Sequence, residues 1–262
     1  MSPTILQNPL VEDCLATLRD RKSSMVEFRA ASRRISFILA TETGKFLETT
    51  EVTIETPLEN TSCKKFSNSL VLVPILRAGL GMVDAFLEIF PEAELGHIGL
   101  ERNETTAQPD SYYSKLPELA GKRVLLLDPM LATGGSLSHA VELLMSRGAN
   151  QLTAISIIAA PEGVEKICTE HPDLQLVLGC VDRCLDENSF IRPGLGDYGD
   201  RFKASMRMRW KSGNLSAVVH TVTVLDGKII AKRSAVEAVI RPHRTVAFGI
   251  KIFVMYTKNK RI

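Results

Sequence analysis

The chain has 262 residues, 45% of them hydrophobic, with 32 Lys and Arg against 30 Asp and Glu and a formal net charge of +2. That is enough apolar material for a sizeable core, arranged as one large domain or as one domain with an appendage. No apolar run reaches membrane-spanning length, and the five cysteines (Cys14, Cys63, Cys168, Cys180, Cys184) are an odd, scattered set unlike a disulfide framework.

The opening residues, MSPTILQNPLVEDC, lack the basic and apolar regions of a secretory signal, so a cytoplasmic location with reduced thiols is expected. Phe28, Ala31, Ile35 and Ile38 share one helical face, with Gly44 as a stop. Residues 51–55 alternate like a strand. Residues 70–73 read as a strand running into Pro-Ile-Leu-Arg-Ala-Gly-Leu (74–80), and Met82, Val83, Phe86 and Leu87 form the next helical face. Residues 98–100 form another strand, leading into Glu101, Arg102, Asn103 and Glu104. Arg77 and Arg102 thus stand just past carboxyl ends of strands, where ligands of open α/β sheets bind. Residues 103–118 are polar, contain two prolines and Tyr112-Tyr113, and are expected to form a long mobile loop.

Residues 124–127, VLLL, read as a fully buried strand of a parallel sheet. Asp128 stands where that strand ends, Gly134 and Gly135 allow a tight turn, and Ser136 opens a helical run through Ala140, Leu143 and Leu144. Free backbone N–H groups and the positive end of a helix dipole then surround one small anion. The lysine of a P-loop is missing, which argues against a nucleoside triphosphatase. The loop suits the 5′-phosphate of a sugar phosphate, with Asp128 accepting hydrogen bonds from ribose hydroxyls. For the two glycines alone, an ordinary strand-to-helix turn is the other reading. Residues 152–159 form a further buried strand, Pro161 starts a helix where its missing N–H does no harm, and residues 174–181 are the last core strand. Residues 189–201 are too rich in Gly and Asp for a strand or helix. Alternating β and α units imply an α/β fold, a mainly parallel sheet with right-handed crossovers. Cys168, His171, Cys180 and Cys184 have a superficially zinc-like spacing, but Cys168 falls on a predicted helix and Cys180 on a predicted strand, so no protein metal site is expected.

Together PILRAGLG (74–81), DPMLATGGS (128–136), AAPEG (159–163) and PGLGD (193–197) resemble the uracil phosphoribosyltransferase family across residues 5–202. The resemblance implies a type I phosphoribosyltransferase fold, its sheet flanked by helices and topped by a base-binding hood. The implied reaction moves phosphoribosyl from phosphoribosyl pyrophosphate (PRPP) to uracil N1, giving UMP and pyrophosphate. Carried onto this chain, PRPP is held by Arg77, Arg102, Asp128, Pro129, Met130, Leu131, Ala132, Thr133, Gly134, Gly135, Ser136 and Asp197. Arg102, Asp128 and Asp197 form the catalytic set, with Arg102 on the departing pyrophosphate. The backbone at Ile191, Gly196, Asp197 and Tyr198 reads the uracil edge. The family also implies Mg²⁺ carried by PRPP rather than by the protein, a homodimer or larger assembly reached through an arm at residues 51–55, and, in some members, a GTP effector. Two positions depart from the pattern: Arg192 replaces a usually aliphatic residue, and Tyr198 a usually small one, whose ring would stack on the base or obstruct it.

Residues 203–262 hold 13 Lys and Arg against Asp226 and Glu237, a balance of +11 that leaves −9 for the first 202 residues. Two compositions meet near Phe202, which suggests a catalytic domain over 1–202 and a basic extension over 203–262. The extension matches no family pattern. Residues 217–225, the Asp226-Gly227 turn and residues 228–232 read as a hairpin, and residues 246–256 as another alternating stretch. Three readings follow: an active uracil phosphoribosyltransferase, a phosphoribosyltransferase for another base, or a catalytically impaired ligand-binding protein whose basic tail binds nucleic acid. The last has the blander counter-reading of charge scattered over hairpin faces, or of a tail with no selected role.

Overall fold

The computed structural model of the chain describes residues 2–67, 69–102, 109–203, 209–211, 214–225 and 228–239. By contact density the chain separates into two units, Met1–Ser205 and Met206–Ile262. In the first unit β1 (Thr4–Ile5) precedes α1 (Pro9–Arg19), which begins where the Asn8 side chain accepts from the Leu10 N–H at 2.9 Å and Pro9 occupies the first turn. α2 (Met25–Thr43) starts with a capping box: Ser24 Oγ accepts from the Glu27 N–H at 3.3 Å, and the Glu27 carboxylate accepts from the Ser24 N–H at 2.7 Å. Its buried face carries Phe28, Ala31 and Ile35 as the sequence suggested, with Leu39 as the next core residue and Ile38 only partly buried, and Gly44 ends it. β2 (Thr49–Glu55) and β3 (Asn60–Phe66) pair as an antiparallel hairpin that is mostly exposed.

The chain continues through β4 (Leu70–Leu76), α3 (Leu80–Ile89), β5 (Glu94–Leu95), β6 (His97–Arg102), β7 (Pro109–Lys115), β8 (Arg123–Leu127), β9 (Met130–Leu131), α4 (Gly135–Ser146), β10 (Gln151–Ala159), α5 (Pro161–Glu170) and β11 (Gln175–Val181). A short hairpin of β12 (Cys184–Leu185) and β13 (Ile191–Arg192) and the helix α6 (Tyr198–Lys203) close the unit. The main sheet runs β1-β11-β10-β8-β4-β6-β7, with β5 beside β4 and β9 beside β10, and every pair is parallel except β6 with β7. Central strands are apolar on both sides because helices cover both faces. Leu72, Leu125, Leu127, Ile155 and Val177 pack with the core residues of α1, α2 and α3, while Val71, Val73, Val124, Leu126 and Leu176 pack with those of α4 and α5. The α/β expectation and all four central strands are found where the sequence placed them.

Two expectations change. Residues 189–201, expected to be neither strand nor helix, hold the two-residue β13 and, from Tyr198, the start of α6, because Asp197 caps that turn. The loop expected over residues 103–118 is in large part β7, paired antiparallel with β6 from His97↔Lys115 to Arg102↔Pro109. An edge strand accommodates this polar segment, because only one side of it must find ladder partners, and a proline heading the strand sacrifices no N–H that the ladder needs. Of the rest of the expected loop, residues 116–118 are neither helix nor strand, and residues 103–108 lie outside the described residues.

The second unit contains β14 (Arg209–Lys211), β15 (Asn214–Leu225) and β16 (Lys228–Val239) in an antiparallel sheet of that order. The hairpin expected here is present and longer than read, with pairs running from Asn214↔Val239 to Leu225↔Lys228. The extra length comes from pairing of residues 233–239 with residues 214–220, a match that the sequence pattern past Lys232 does not announce. The alternating stretch at 246–256 lies outside the described residues.

Candidate active site

Three neighbouring strands deliver the candidate residues to one edge of the sheet. In the order β8-β4-β6, Asp128 follows the end of β8, Arg77 follows the end of β4, and the Arg102 backbone closes β6, its side chain lying outside the described part. Arg77 is exposed, and among the described residues no carboxylate pairs with it. A guanidinium so placed is available to an anion. The adjoining Gly79 is where the chain closes onto its neighbours: a Cβ there would overlap the Leu127 carbonyl oxygen and come within 2.8 Å of the Ile75 carbonyl oxygen. PILRAGLG therefore needs its first glycine to bring the Arg77 turn against the end of the strand that carries Asp128.

The segment from Asp128 to Leu131 is strapped to β10. Asp128 N–H donates to the Ile155 carbonyl at 3.1 Å, the N–H groups of Ile157 and Ile158 both donate to the Pro129 carbonyl at 3.1 Å, and Ala160 N–H donates to the Leu131 carbonyl at 2.8 Å. Beyond it, Ala132, Thr133, Gly134, Gly135 and Ser136 wrap a cavity of about 80 Å³ whose walls are Asp128 and residues 130–137. Gly134 has φ 78° and is the N-cap of α4, with no side-chain cap bond. The first N–H groups of α4 are thus left for an anion, which is the arrangement the sequence suggested. The Asp128 carboxyl is half-buried; burial pushes it up to about 7, and the Met130 N–H, 3.5 Å from Oδ1, pulls it back only slightly.

Gly163, the last residue of AAPEG, is where α5 meets the loop after Asp128. A Cβ at Gly163 would overlap the Ala132 carbonyl oxygen and stand 3.0 Å from its carbonyl carbon and 3.3 Å from Gly134 N. The absence of a side chain at Gly163 of α5 is what lets the loop at residues 132–134 lie down on that helix.

At the hood, Ile191 is buried in β13, and Gly194 and Gly196 have φ of 67° and 80°, conformations that favour glycine. Asp197 Oδ1 accepts from the Asp200 N–H at 2.7 Å, so this carboxylate caps α6. The expectation for Tyr198 needs correction. Its ring is turned into the core at 1% exposure, stacked on Phe202 at 5.6 Å and packed against Phe28 at 5.4 Å. Its hydroxyl shares a hydrogen bond with Ser32, and burial pushes the phenol up to about 12. The room comes from Gly81, where any Cβ would overlap the Tyr198 hydroxyl. The ring neither stacks on a base nor obstructs one; only the Tyr198 backbone remains at the loop. The Arg192 guanidinium is likewise engaged, donating from Nε to Asp186 Oδ2 at 2.8 Å. Asp186 is held below the usual carboxylate range, chiefly by the Phe190 N–H.

Of the zinc-like residues, Cys180 Sγ accepts from Arg19 at 3.5 Å, whereas His171 Nε2 meets Ser138 Oγ at 2.8 Å. Among the described residues no group of three or more His, Cys, Asp or Glu is placed to hold a metal, and no helix is long and apolar enough to cross a membrane.

Comparison with known proteins agrees with this geometry. The family model for uracil phosphoribosyltransferase matches residues 5–203. Uracil phosphoribosyltransferase of Salinibacter ruber is 46% identical over 199 residues, 76% of this chain and 95% of that protein. The enzyme of the same name from Thermus thermophilus is 45% identical over 203 residues, covering 77% and 98%. Among solved structures, the AQ2163 protein of Aquifex aeolicus superposes with a TM-score of 0.73 at 36% identity, over 77% of this chain and 98% of that one. The sheet and its flanking helices are those of a type I phosphoribosyltransferase, and the chain belongs to the uracil phosphoribosyltransferase family.

Proposed function

We propose that the chain transfers phosphoribosyl from PRPP to N1 of uracil, giving UMP and pyrophosphate, as in pyrimidine salvage. The observation that carries this reading is the common sheet edge that bears an anion cradle, the half-buried Asp128 and the exposed Arg77, which no carboxylate among the described residues pairs. Displacement at the anomeric carbon builds positive charge on the ribose ring while the leaving pyrophosphate gains negative charge. The α4 N-terminus and residues 132–136 hold the 5′-phosphate, Asp128 orients the ribose hydroxyls beside the developing cation, and Arg102 and Arg77 take the pyrophosphate. The base lies against residues 191–198, where backbone groups read its edge. Cytosine is rejected because its amino group meets a donor and leaves buried polar groups unpaired. Asp197 both caps α6 and faces PRPP.

The donor set fits Mg²⁺ that arrives with PRPP. Asp128 offers one carboxylate and is followed by Pro129, so the substrate's oxygens supply most ligands. With Asp128 as its one protein carboxylate neighbour, such an ion would supply charge neutralisation to the departing pyrophosphate. The exposed β2–β3 arm, with Leu58 94% exposed, suits contact with a second copy, as a homodimer or larger assembly requires. A GTP effector and a cytoplasmic location complete the reading by family resemblance. The alternative of an impaired protein with a nucleic-acid-binding tail is not favoured.

The test is UMP formation from uracil and PRPP, by the full chain and by residues 1–203, which end with α6. Both are expected to be active, with no product from cytosine. A full chain that makes no UMP overturns the function; an inactive truncation beside an active full chain overturns the independent domain. Within the active protein, Arg102→Ala should lower kcat by about a hundredfold, the scale of losing one preorganised transition-state donor. Arg102→Lys should recover only part of it, since an ammonium cannot form the two-pronged contact. An Arg102→Ala variant with near-normal kcat would remove the residue from the catalytic set.

A further inference from the structure

Three side chains distant from the phosphate cradle converge on three consecutive peptides of the hood. Gly194 N–H donates to Asp182 Oδ2 at 2.8 Å, and Gly194 C=O accepts from Arg19 Nη1 at 3.0 Å. Arg19 closes the ring by donating to both carboxylate oxygens of Asp182, at 2.8 and 2.6 Å. The next carbonyl, Leu195 C=O, accepts from Arg201 Nη1 at 2.8 Å. Arg201 also donates to the Leu18 and Asp20 carbonyls at the end of α1, with its guanidinium 4.4 Å from the centre of the Phe28 ring. The Asp182 side chain is only 5% exposed, so its charge depends on these partners.

The direction of these bonds matters more than their number. In a trans peptide the C=O and the following N–H point in opposite directions. Turning the carbonyls of Gly194 and Leu195 towards α1 therefore turns the N–H groups of Leu195 and Gly196 the other way. Among the described residues, neither N–H has a protein acceptor. Gly194 itself has φ 67°, and a side chain there would overlap the Ile191 carbonyl oxygen, so this turn requires glycine.

We propose that Arg19, Asp182 and Arg201 are positioning residues that aim the Leu195 and Gly196 N–H groups at the oxygen-bearing edge of the base, so that specificity for uracil is set from behind the loop by α1. The proposal rests on the reading that residues 191–198 hold uracil. None of the three touches the substrate; each acts through the backbone it grips. Removing one should therefore weaken recognition of the base while leaving the ribose-phosphate grip intact.

Calorimetry on the full chain separates the two by comparing UMP with ribose 5-phosphate, which shares the phosphate and sugar but lacks the base. For Arg19→Met, the expected result is UMP binding weaker by about tenfold, ribose 5-phosphate within about twofold, and a matching rise in the KM for uracil but not for PRPP, as a displaced recognition loop predicts. Asp182→Asn should give the same pattern, and the double variant should be no worse than either, because each opens one ring. Arg19→Lys, which keeps the charge and loses the fork, covers the case in which Arg19→Met does not fold; it should show the split in weaker form. Equal loss of UMP and ribose 5-phosphate binding, or no loss of either, in a folded variant overturns the proposal. Wild-type chain that binds UMP no tighter than ribose 5-phosphate overturns the base-site reading itself, and the proposal with it.

Discussion

Asp128→Asn is expected to lower PRPP-dependent turnover by about a hundredfold or more and at the same time to raise the melting temperature at pH 8. The two effects have one cause. Burial lifts the Asp128 carboxyl from 3.8 to about 7 in the folded protein. Between those values the native state keeps a proton that the unfolded state has lost, so stability falls as pH rises through this window and levels off above it. An amide carries no such penalty. The variant's advantage should be small near pH 4 and full by pH 8, on the order of 1–2 kcal/mol once the carboxyl's remaining contact with water is discounted. In function the sign reverses, because the ionised group is the better acceptor for ribose hydroxyls. PRPP kcat/KM should climb through pH 7 in wild type and lose that limb in Asp128→Asn, whereas the limb from PRPP's own phosphate appears in both. Unchanged PRPP titration together with an unchanged pH profile would reduce Asp128 to a residue that merely shapes the turn.

The anion cradle was legible in outline because the segment that forms it is local. An apolar strand, an acid, two glycines and a helix start lie within residues 124–136, whereas the support from β10 and from Gly163 of α5 comes from distant residues and was not visible. The same locality made β4, β8, β10 and β11 readable as continuous apolar runs, and the tail hairpin as alternation around Asp226-Gly227. Residues 109–115 were misread for the opposite reason: a polar edge strand announces itself only through its pairing with β6.

The hood was legible only in outline. PGLGD marked the loop, but Arg19 and Asp182 are 163 positions apart, and no periodicity or spacing joins them. Tyr198 looked like a ligand-facing ring because it sits in the loop motif. Its direction is decided by Gly81 on α3 and Ser32 on α2, which together open a cavity for the ring and offer its hydroxyl a partner. A glycine in PILRAGLG and a tyrosine in place of a small residue are one packing decision, visible only when both are in space.

Alanine at a helical glycine ordinarily stabilises, by roughly 0.5–1 kcal/mol in an exposed position. At Gly163 the added methyl would instead overlap the Ala132 carbonyl oxygen and crowd Gly134 N, and neither backbone group can swing aside as a side-chain tip would. The phosphate loop must rise from α5 by about 1 Å, a displacement that can cost a hundredfold in rate when it falls on a substrate-positioning element. Gly163→Ala is therefore expected to reduce kcat/KM for PRPP by about a hundredfold, with uracil affinity nearly unchanged, and to lower stability by about 1–3 kcal/mol from overpacking. Steady-state kinetics with PRPP varied at saturating uracil, beside a thermal melt, reads both quantities. The loop's straps to β10 hold Pro129 and Leu131 rather than Ala132, so they leave the loop anchored at one end while its tip is displaced. The loss should therefore appear in phosphate binding before it appears in the fold, and ribose 5-phosphate should weaken as much as UMP. If Gly163→Ala keeps PRPP kcat/KM within threefold of wild type, α5 has moved away from the loop without functional consequence, and close contact between them is not what shapes the cradle.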